Sequence, residues 1–275
     1  MPFYTFDQIS FHYEDDETIG VPFIFLHGLG GDTQQTMSVM KKTSGIRRIS
    51  VDFRGHGETI NFGSPEKFSF RQFAADVLAL ADDLQLEQFI VGGISTGAGV
   101  ALHLALNSPE RVTHLILSRP AWEDRPQEPA IQEAFQQIYT ILQDDTIPAK
   151  KVAYKKTKIY QQMDQLAHYA GDTLLGQFDY TYAKETSEKL VRIPRDCPNT
   201  NREEWRELSI PTLILASKQD PIHPFDYGVL LSEYIPNSQL IEITPKEISG
   251  KKHNQDSYQA IQHFLSSQGF KISEE

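Results

Sequence analysis

Cysteine is almost absent from this chain of 275 residues, in which Cys197 stands alone. One cysteine cannot form an intramolecular disulfide or supply a four-cysteine zinc site, so neither device can stabilise the fold. Long apolar runs are missing too, because no stretch approaches the roughly 18 consecutive apolar residues that a membrane-spanning helix needs. The opening segment, MPFYTFDQIS, lacks the basic flank and the apolar stretch of a signal peptide. We therefore expect a cytoplasmic protein without membrane insertion.

Positive charge is scarce relative to negative charge. The chain has 26 Lys and Arg residues against 37 Asp and Glu residues, which gives a formal net charge of −11. Because nucleic acid is bound through a positive surface, this balance argues against nucleic acid as the main partner. The sequence also lacks a phosphate-binding loop, a dinucleotide fingerprint and a cluster of residues at metal-ligand spacing. We expect no cofactor and no metal, and the oligomeric state cannot be read from the sequence.

Short apolar runs alternate with amphipathic stretches over residues 20–118 and again from 210 to the end. Runs that are apolar on both faces are typical of parallel strands covered by helices on both sides. Six strands are expected, at 21–26, 47–53, 89–91, 112–117, 211–216 and 239–243. Helices are expected between them, at 96–106 and 255–268 among others, and Ser69 with Gln72 resembles a capping box. The alternation predicts an α/β fold with a doubly wound, mostly parallel sheet.

The middle of the chain, residues 120–208, breaks this alternation. It is rich in Gln, Lys and Tyr, and its apolar residues recur only at helical spacing. The simplest interpretation is a helical segment inserted into the sheet domain. The predicted organisation is thus a core made of residues 1–119 and 209–275 with an insertion at 120–208.

Two glycine-rich motifs carry the chemistry. The motif GISTG at 93–97 lies between a predicted strand and a predicted helix, where Gly-x-Ser-x-Gly is typical of a nucleophile elbow. Ser95 would then sit at a helix N-terminus, whose dipole favours developing negative charge. The motif HGLGG at 27–31 follows the first predicted strand and leaves backbone amides open to a ligand, as an oxyanion hole requires. The same glycines could equally serve only a tight turn.

Together with DFRGHG at 52–57, these motifs resemble the α/β-hydrolase superfamily over about 20–118 and 210–268. The resemblance implies an α/β-hydrolase fold. In that family an insertion after the family's sixth strand forms a helical lid over the active site, and residues 120–208 would be this lid. The resemblance implies that Ser95 is the nucleophile and that the backbone N–H groups of Leu29 and Thr96 form the oxyanion hole. It implies no catalytic role for His56.

The family orders its catalytic triad as serine, acid and histidine. Asp220 follows the strand expected at 211–216 and stands where the acid should be, although an aspartate there could also merely initiate a turn. His253 follows the last predicted strand, just ahead of the last predicted helix, and is the expected base, although Lys252 stands where the family usually has glycine. His263 is set aside because it lies inside that helix. His223 is set aside because it comes three residues after Asp220, too close to reach around it.

These residues predict a serine hydrolase that cleaves a small ester or related acyl substrate through Ser95, Asp220 and His253, by way of an acyl-enzyme. An acyltransferase, a carbon–carbon hydrolase or a lyase with the same triad remains open, and so does a non-catalytic ligand-binding protein of this fold. Family members that open epoxides or displace halide carry aspartate at the elbow, so the serine excludes them. The small-molecule substrate itself cannot be read, because specificity would reside in residues 120–208.

Overall fold

The computed structural model describes residues 2–274 and the side chains of residues 2–272. Its strands form one sheet in the order β1-β2-β4-β3-β5-β6-β7-β8, with β9 beside β4. The strands are β1 Phe3–Phe6, β2 Ile9–Asp15, β3 Gly20–Leu26, β4 Thr43–Val51, β5 Phe89–Ile94, β6 Val112–Ser118, β7 Thr212–Ala216, β8 Ser238–Glu242 and β9 Ser273–Glu274. Strands β3 to β8 pair in parallel, whereas β1, β2 and β9 pair antiparallel. The predicted α/β fold with a mostly parallel sheet is confirmed.

Helices cover both faces of the sheet. They are α1 Thr33–Val39, α2 Phe70–Asp83, α3 Thr96–Asn107, α4 Pro129–Gln143, α5 Lys150–Lys155, α6 Lys158–Leu166, α7 His168–Gly176, α8 Lys189–Arg195, α9 Phe225–Tyr234 and α10 Gly250–Ser267. Along β3, Ile24 and Leu26 pack in one apolar cluster with α2, α3 and α9. Phe23 and Phe25 pack in another with α1 and α10. Because successive side chains of a strand point to opposite faces, a strand that is apolar throughout can serve both layers.

Helices α4 to α8 lie between β6 and β7 and have an apolar cluster of their own. The cluster includes Phe135, Ile138, Tyr154 and Leu174, and it also takes in Ile222 from the loop after β7. The segment between β6 and β7 therefore packs directly over the end of a core strand. The domain boundaries at 120 and 208 and the role of this segment as a lid stay predictions.

The last helix begins earlier than the sequence pattern indicated. Helix α10 begins at Gly250 rather than 255, and the Oγ of Ser249 caps it by accepting the backbone N–H of Lys252. His253 consequently lies within the helix and not in the loop ahead of it. Among the described residues, no helix is long and apolar enough to cross a membrane.

Candidate active site

Ser95 lies in a strained turn between β5 and α3. Its φ of 57° and ψ of −112° fall outside the regions that side chains other than glycine usually adopt. A Cβ added at Gly93 would overlap the backbone of Gly97, and one added at Gly97 would overlap the carbonyl of Leu26. The two glycines of the motif are thus required by close backbone contacts. The turn leaves Ser95 partly exposed at the carboxyl end of the parallel strands, and the Ser95 N–H donates to the carbonyl of Ser118 at 2.9 Å.

The glycine-rich loop after β3 lies beside this turn. A Cβ added at Gly28 would lie 3.4 Å from the Cβ of Ser95, and the Gly28 N–H donates to Oε1 of Gln35 at 2.7 Å. Within the described residues, neither the N–H of Leu29 nor that of Thr96 is engaged in a hydrogen bond. Both predicted oxyanion donors are therefore available to a ligand next to Ser95.

The imidazole that contacts Ser95 is that of His223. Its Nε2 lies 2.9 Å from the Oγ of Ser95, and its Nδ1 lies 2.9 Å from Oδ2 of Asp220. The Oδ1 of Asp220 accepts the backbone N–H groups of Ile222 and His223 at 3.1 and 3.2 Å. This turn folds the chain back, so a histidine three residues after the aspartate meets its carboxylate. The separation of three residues, for which the sequence analysis set His223 aside, therefore does not keep the two side chains apart. Asp220 also initiates a turn, which was the other interpretation of this residue.

The structure does not bring His253 to Ser95. Its Nδ1 donates to the carbonyl of Thr244 at 2.8 Å, and it lies within the first turns of α10. Burial, and then the charges of Arg119 and Lys246, lower the pKa of His253 to about 3. The structure thus places His223, and not His253, in contact with Ser95, and α10 begins five residues earlier than its apolar pattern indicated.

Arg119, directly after β6, is a member of the site that sequence reasoning missed. One of its Nη atoms donates to Oδ2 of Asp220 at 2.6 Å and lies 2.9 Å from Nδ1 of His223. Against the opposing effect of burial, His223 and Arg119 hold the pKa of Asp220 well below its usual range. Burial and then Arg119 lower the pKa of His223, against the effect of Asp220. The site therefore favours an ionised carboxylate and a neutral imidazole, whose Nδ1–H can donate only to the carboxylate because guanidinium has no acceptor.

Two further groups adjoin this cluster. The Nζ of Lys246 donates to the hydroxyl of Tyr169 at 2.8 Å, and the guanidinium of Arg119 lies over the Tyr169 ring, 5.7 Å from its centroid. Although burial opposes the effect, Lys246 and Arg119 lower the pKa of Tyr169. No local motif marks Arg119, Tyr169 or Lys246, because only the fold brings the end of β6, helix α7 and the loop after β8 together.

The motif at 52–57 forms a structural turn, as the resemblance implied. The Asp52 carboxylate accepts Nδ1–H of His12 at 2.7 Å and the backbone N–H groups of Thr33 and Glu58 at 2.7 and 2.9 Å. At Gly57, φ is +50° and an added Cβ would overlap that carboxylate. His56 is buried and contacts the carbonyl of Arg54, so it belongs to this turn and not to the cluster around Ser95.

Comparison with known proteins places the chain among hydrolases. The model of the α/β-hydrolase fold family matches residues 21–247. The AB hydrolase superfamily protein YisY of Bacillus subtilis is 29% identical over 237 residues, 83% of this chain and 85% of that protein. The 3-oxoadipate enol-lactonase 2 of Acinetobacter baylyi is 26% identical over 232 residues, 78% of this chain and 75% of that protein. An enol-lactonase from Burkholderia xenovorans LB400 shares the fold, with a TM-score of 0.72 at 20% identity, covering 96% of this chain and 100% of that one.

Proposed function

The chain belongs to the α/β-hydrolase family, and we propose that it is a serine hydrolase that cleaves a small ester or a related acyl compound. One observation carries the proposal: the Oγ of Ser95 lies 2.9 Å from Nε2 of His223, whose other ring nitrogen contacts Asp220. A hydroxyl, an imidazole and a carboxylate in this series form the arrangement that activates a serine for attack on a carbonyl. The lactonases among the similar proteins support the same class, because a lactone is a cyclic ester.

In the proposed mechanism, Nδ1–H of His223 donates to Asp220, so Nε2 is free to accept a proton. Nε2 takes the proton of the Ser95 hydroxyl as Oγ attacks the substrate carbonyl. The N–H groups of Leu29 and Thr96 donate to the resulting oxyanion, and each such donor contributes about 3–4 kcal/mol in comparable sites. The tetrahedral intermediate collapses to an acyl-enzyme on Ser95 as His223 returns the proton to the departing alcohol. His223 then deprotonates a water molecule that attacks the acyl carbon. As the bond to Oγ breaks, His223 returns the proton to Ser95 and the acid is released.

Alanine at Ser95 tests the nucleophile. We expect Ser95→Ala to lose p-nitrophenyl acetate turnover by about 10³-fold or more, because the acyl-enzyme cannot form, and to lose labelling by a fluorophosphonate. Thermal unfolding of the variant checks that the fold is intact. Undiminished turnover in a folded Ser95→Ala protein would remove Ser95 from the mechanism. Ligand-induced stabilisation of the wild type without any turnover would favour a binding protein over an enzyme.

The two histidines provide a matched pair that tests the base. We expect His223→Asn to lose nearly as much turnover as Ser95→Ala, and the double variant to lose little more, because residues that act as one unit are not additive. His253→Asn is expected to lose far less with the same neutral ester. The reverse ranking would restore the base that the sequence pattern favoured and contradict the role of His223.

A further inference from the structure

A small cavity lies at the carboxyl ends of β5 and β6, between α1 and α10. Its volume is about 170 Å³, well above the roughly 30 Å³ that one water molecule occupies in the liquid. We call it the cationic cavity; its lining includes the polar residues Gln35, Ser118, Arg119, Lys246, His253 and Asn254.

The charges around the cationic cavity are of one sign. Arg119 and Lys246 line it, whereas no aspartate or glutamate does so among the residues that the structure describes. In a chain with a net charge of −11, a cavity lined in this way stands apart from the rest of the molecule. Asp220 offsets the charge of Arg119, but the polar contact of Lys246 is with the hydroxyl of Tyr169 and not with a carboxylate. The cavity therefore retains positive charge that an anion would neutralise.

Arg119 also has an unused donor. Its side chain is only 5% exposed, and its Nε has no hydrogen-bond partner among the described residues. A buried donor without a partner costs on the order of 1–3 kcal/mol, so such groups in native structures usually meet a ligand or water. The unpartnered Nε is a second observation, independent of the charge balance, and it shows that the protein does not use all the donors of Arg119.

The cationic cavity adjoins the reactive serine. Ile94, which precedes Ser95, lines the cavity, and so does Ser118, whose carbonyl accepts the Ser95 N–H. Gln35, on the α1 side, holds the N–H of Gly28 in the glycine-rich loop next to Ser95. An anionic group in the cavity would thus lie close to the turn that carries Ser95.

We propose that the cationic cavity binds a carboxylate carried by the substrate, so that the preferred substrates are monoesters of small dicarboxylic acids. The guanidinium of Arg119 and the ammonium of Lys246 hold the carboxylate by charge-assisted hydrogen bonds. The inference rests on the proposed function, because it assigns the substrate class of the same site. Repulsion between the two cations supports the proposal. Burial and the charge of Arg119 lower the pKa of Lys246, and a bound anion would relieve that repulsion.

Paired esters test the preference. The monomethyl esters of succinic, glutaric and adipic acid are compared with methyl butanoate, pentanoate and hexanoate, which match them in length but lack the carboxylate. For at least one pair we expect kcat/KM of the wild type to be tenfold or more higher for the acid monoester. In Lys246→Met that ratio should fall about tenfold, mainly through KM, and Lys246→Arg should restore part of it. Lys218→Met is the matched control, because Lys218 pairs with Glu242 outside the cavity and its loss should leave the ratio unchanged.

Calorimetric binding of succinate, glutarate and inorganic phosphate separates this inference from the proposed function, because it needs no turnover. We expect a dicarboxylate to bind Ser95→Ala and Lys218→Met but to bind Lys246→Met at least tenfold more weakly. Turnover of both ester classes without any preference, and no dicarboxylate binding, would overturn the inference and leave the hydrolase intact. Phosphate binding without an ester preference would overturn it in favour of a free inorganic anion. Dicarboxylate binding without turnover of any ester would contradict the hydrolase and support the cavity as a carboxylate site.

Discussion

The carboxylate of Asp220 contacts both His223 and Arg119, and the second contact affects the pKa of the imidazole. Its Oδ2 meets both Nδ1 of His223 and an Nη of Arg119. A carboxylate that is already balanced by a guanidinium stabilises an imidazolium less than a free one does, so His223 holds a proton less readily. The imidazole of His223 then stays neutral, and able to accept a proton, further into the acidic range.

Arg119→Gln tests this effect on pH dependence. Removing the guanidinium raises the pKa of His223, so the imidazole is protonated up to a higher pH and turnover is lost there. We expect the acidic limb of kcat/KM against pH, measured with neutral p-nitrophenyl acetate, to move to higher pH. Arg206→Gln is the control, because Arg206 pairs with Glu203 on the surface. An acidic limb that stays in place or moves to lower pH would contradict the assignment.

At the residue scale, local motifs and long-range contacts differed in how well they could be predicted. Ser95 could be placed from its own pattern, because the glycines on either side are required by contacts within the same turn. His223 could not, because family order favours a histidine after the last strand, and a backbone turn at Asp220 decides which imidazole meets Ser95. Arg119 and Lys246 carry no motif, so only the assembled sheet edge reveals them.

At the scale of secondary structure, strands and helices with a full apolar pattern were predicted. Those without such a pattern were missed, or were predicted too short. The six expected runs correspond to β3–β8, although β4 begins four residues and ends two residues earlier than expected. The β1–β2 hairpin was missed, because its turn uses Asp7 and Gln8 at positive φ instead of the glycine that usually marks such a turn. The first turn of α10 was missed because residues 250–254 are polar, and only the cap at Ser249 indicates it. The cap at Ser69 formed, but the Gln72 amide bonds to Asp76 rather than completing a capping box.

Gly97→Ala tests the close packing of the elbow. The added Cβ would overlap the carbonyl of Leu26, which belongs to the central strand β3, so the turn cannot keep its shape. We expect a lower melting temperature and a loss of ester turnover larger than the loss of stability explains, because Ser95 is displaced. Gly176→Ala, at a position where an added Cβ meets nothing within 4 Å, is the control and should keep both properties. A Gly97→Ala protein with unchanged turnover would contradict the packing argument.

For the whole molecule, a buried lysine joins the segment between β6 and β7 to the sheet domain. Lys189, at the start of α8, places its Nζ 2.5 Å from the carbonyl of Gly55 in the 52–57 turn and 3.1 Å from Oγ1 of Thr186. The residue is only 4% exposed. A neutral amine can still donate to that carbonyl, so the contact between the two parts of the chain does not require the charge, which burial disfavours.

The pH dependence of unfolding measures this buried amine. Burial lowers the pKa of Lys189 to about 7. Between pH 7 and its ordinary pKa, the unfolded chain holds a proton that the folded chain has released, so the free energy of unfolding rises with pH, by about 2 kcal/mol from pH 7 to 9. In Lys189→Met this rise should be missing from denaturant titrations, whereas Lys184→Met, which loses a surface pair with Asp145, should keep it. Equal slopes in all three proteins would mean that Lys189 keeps its proton in the folded state and that an ammonium group donates to the carbonyl of Gly55.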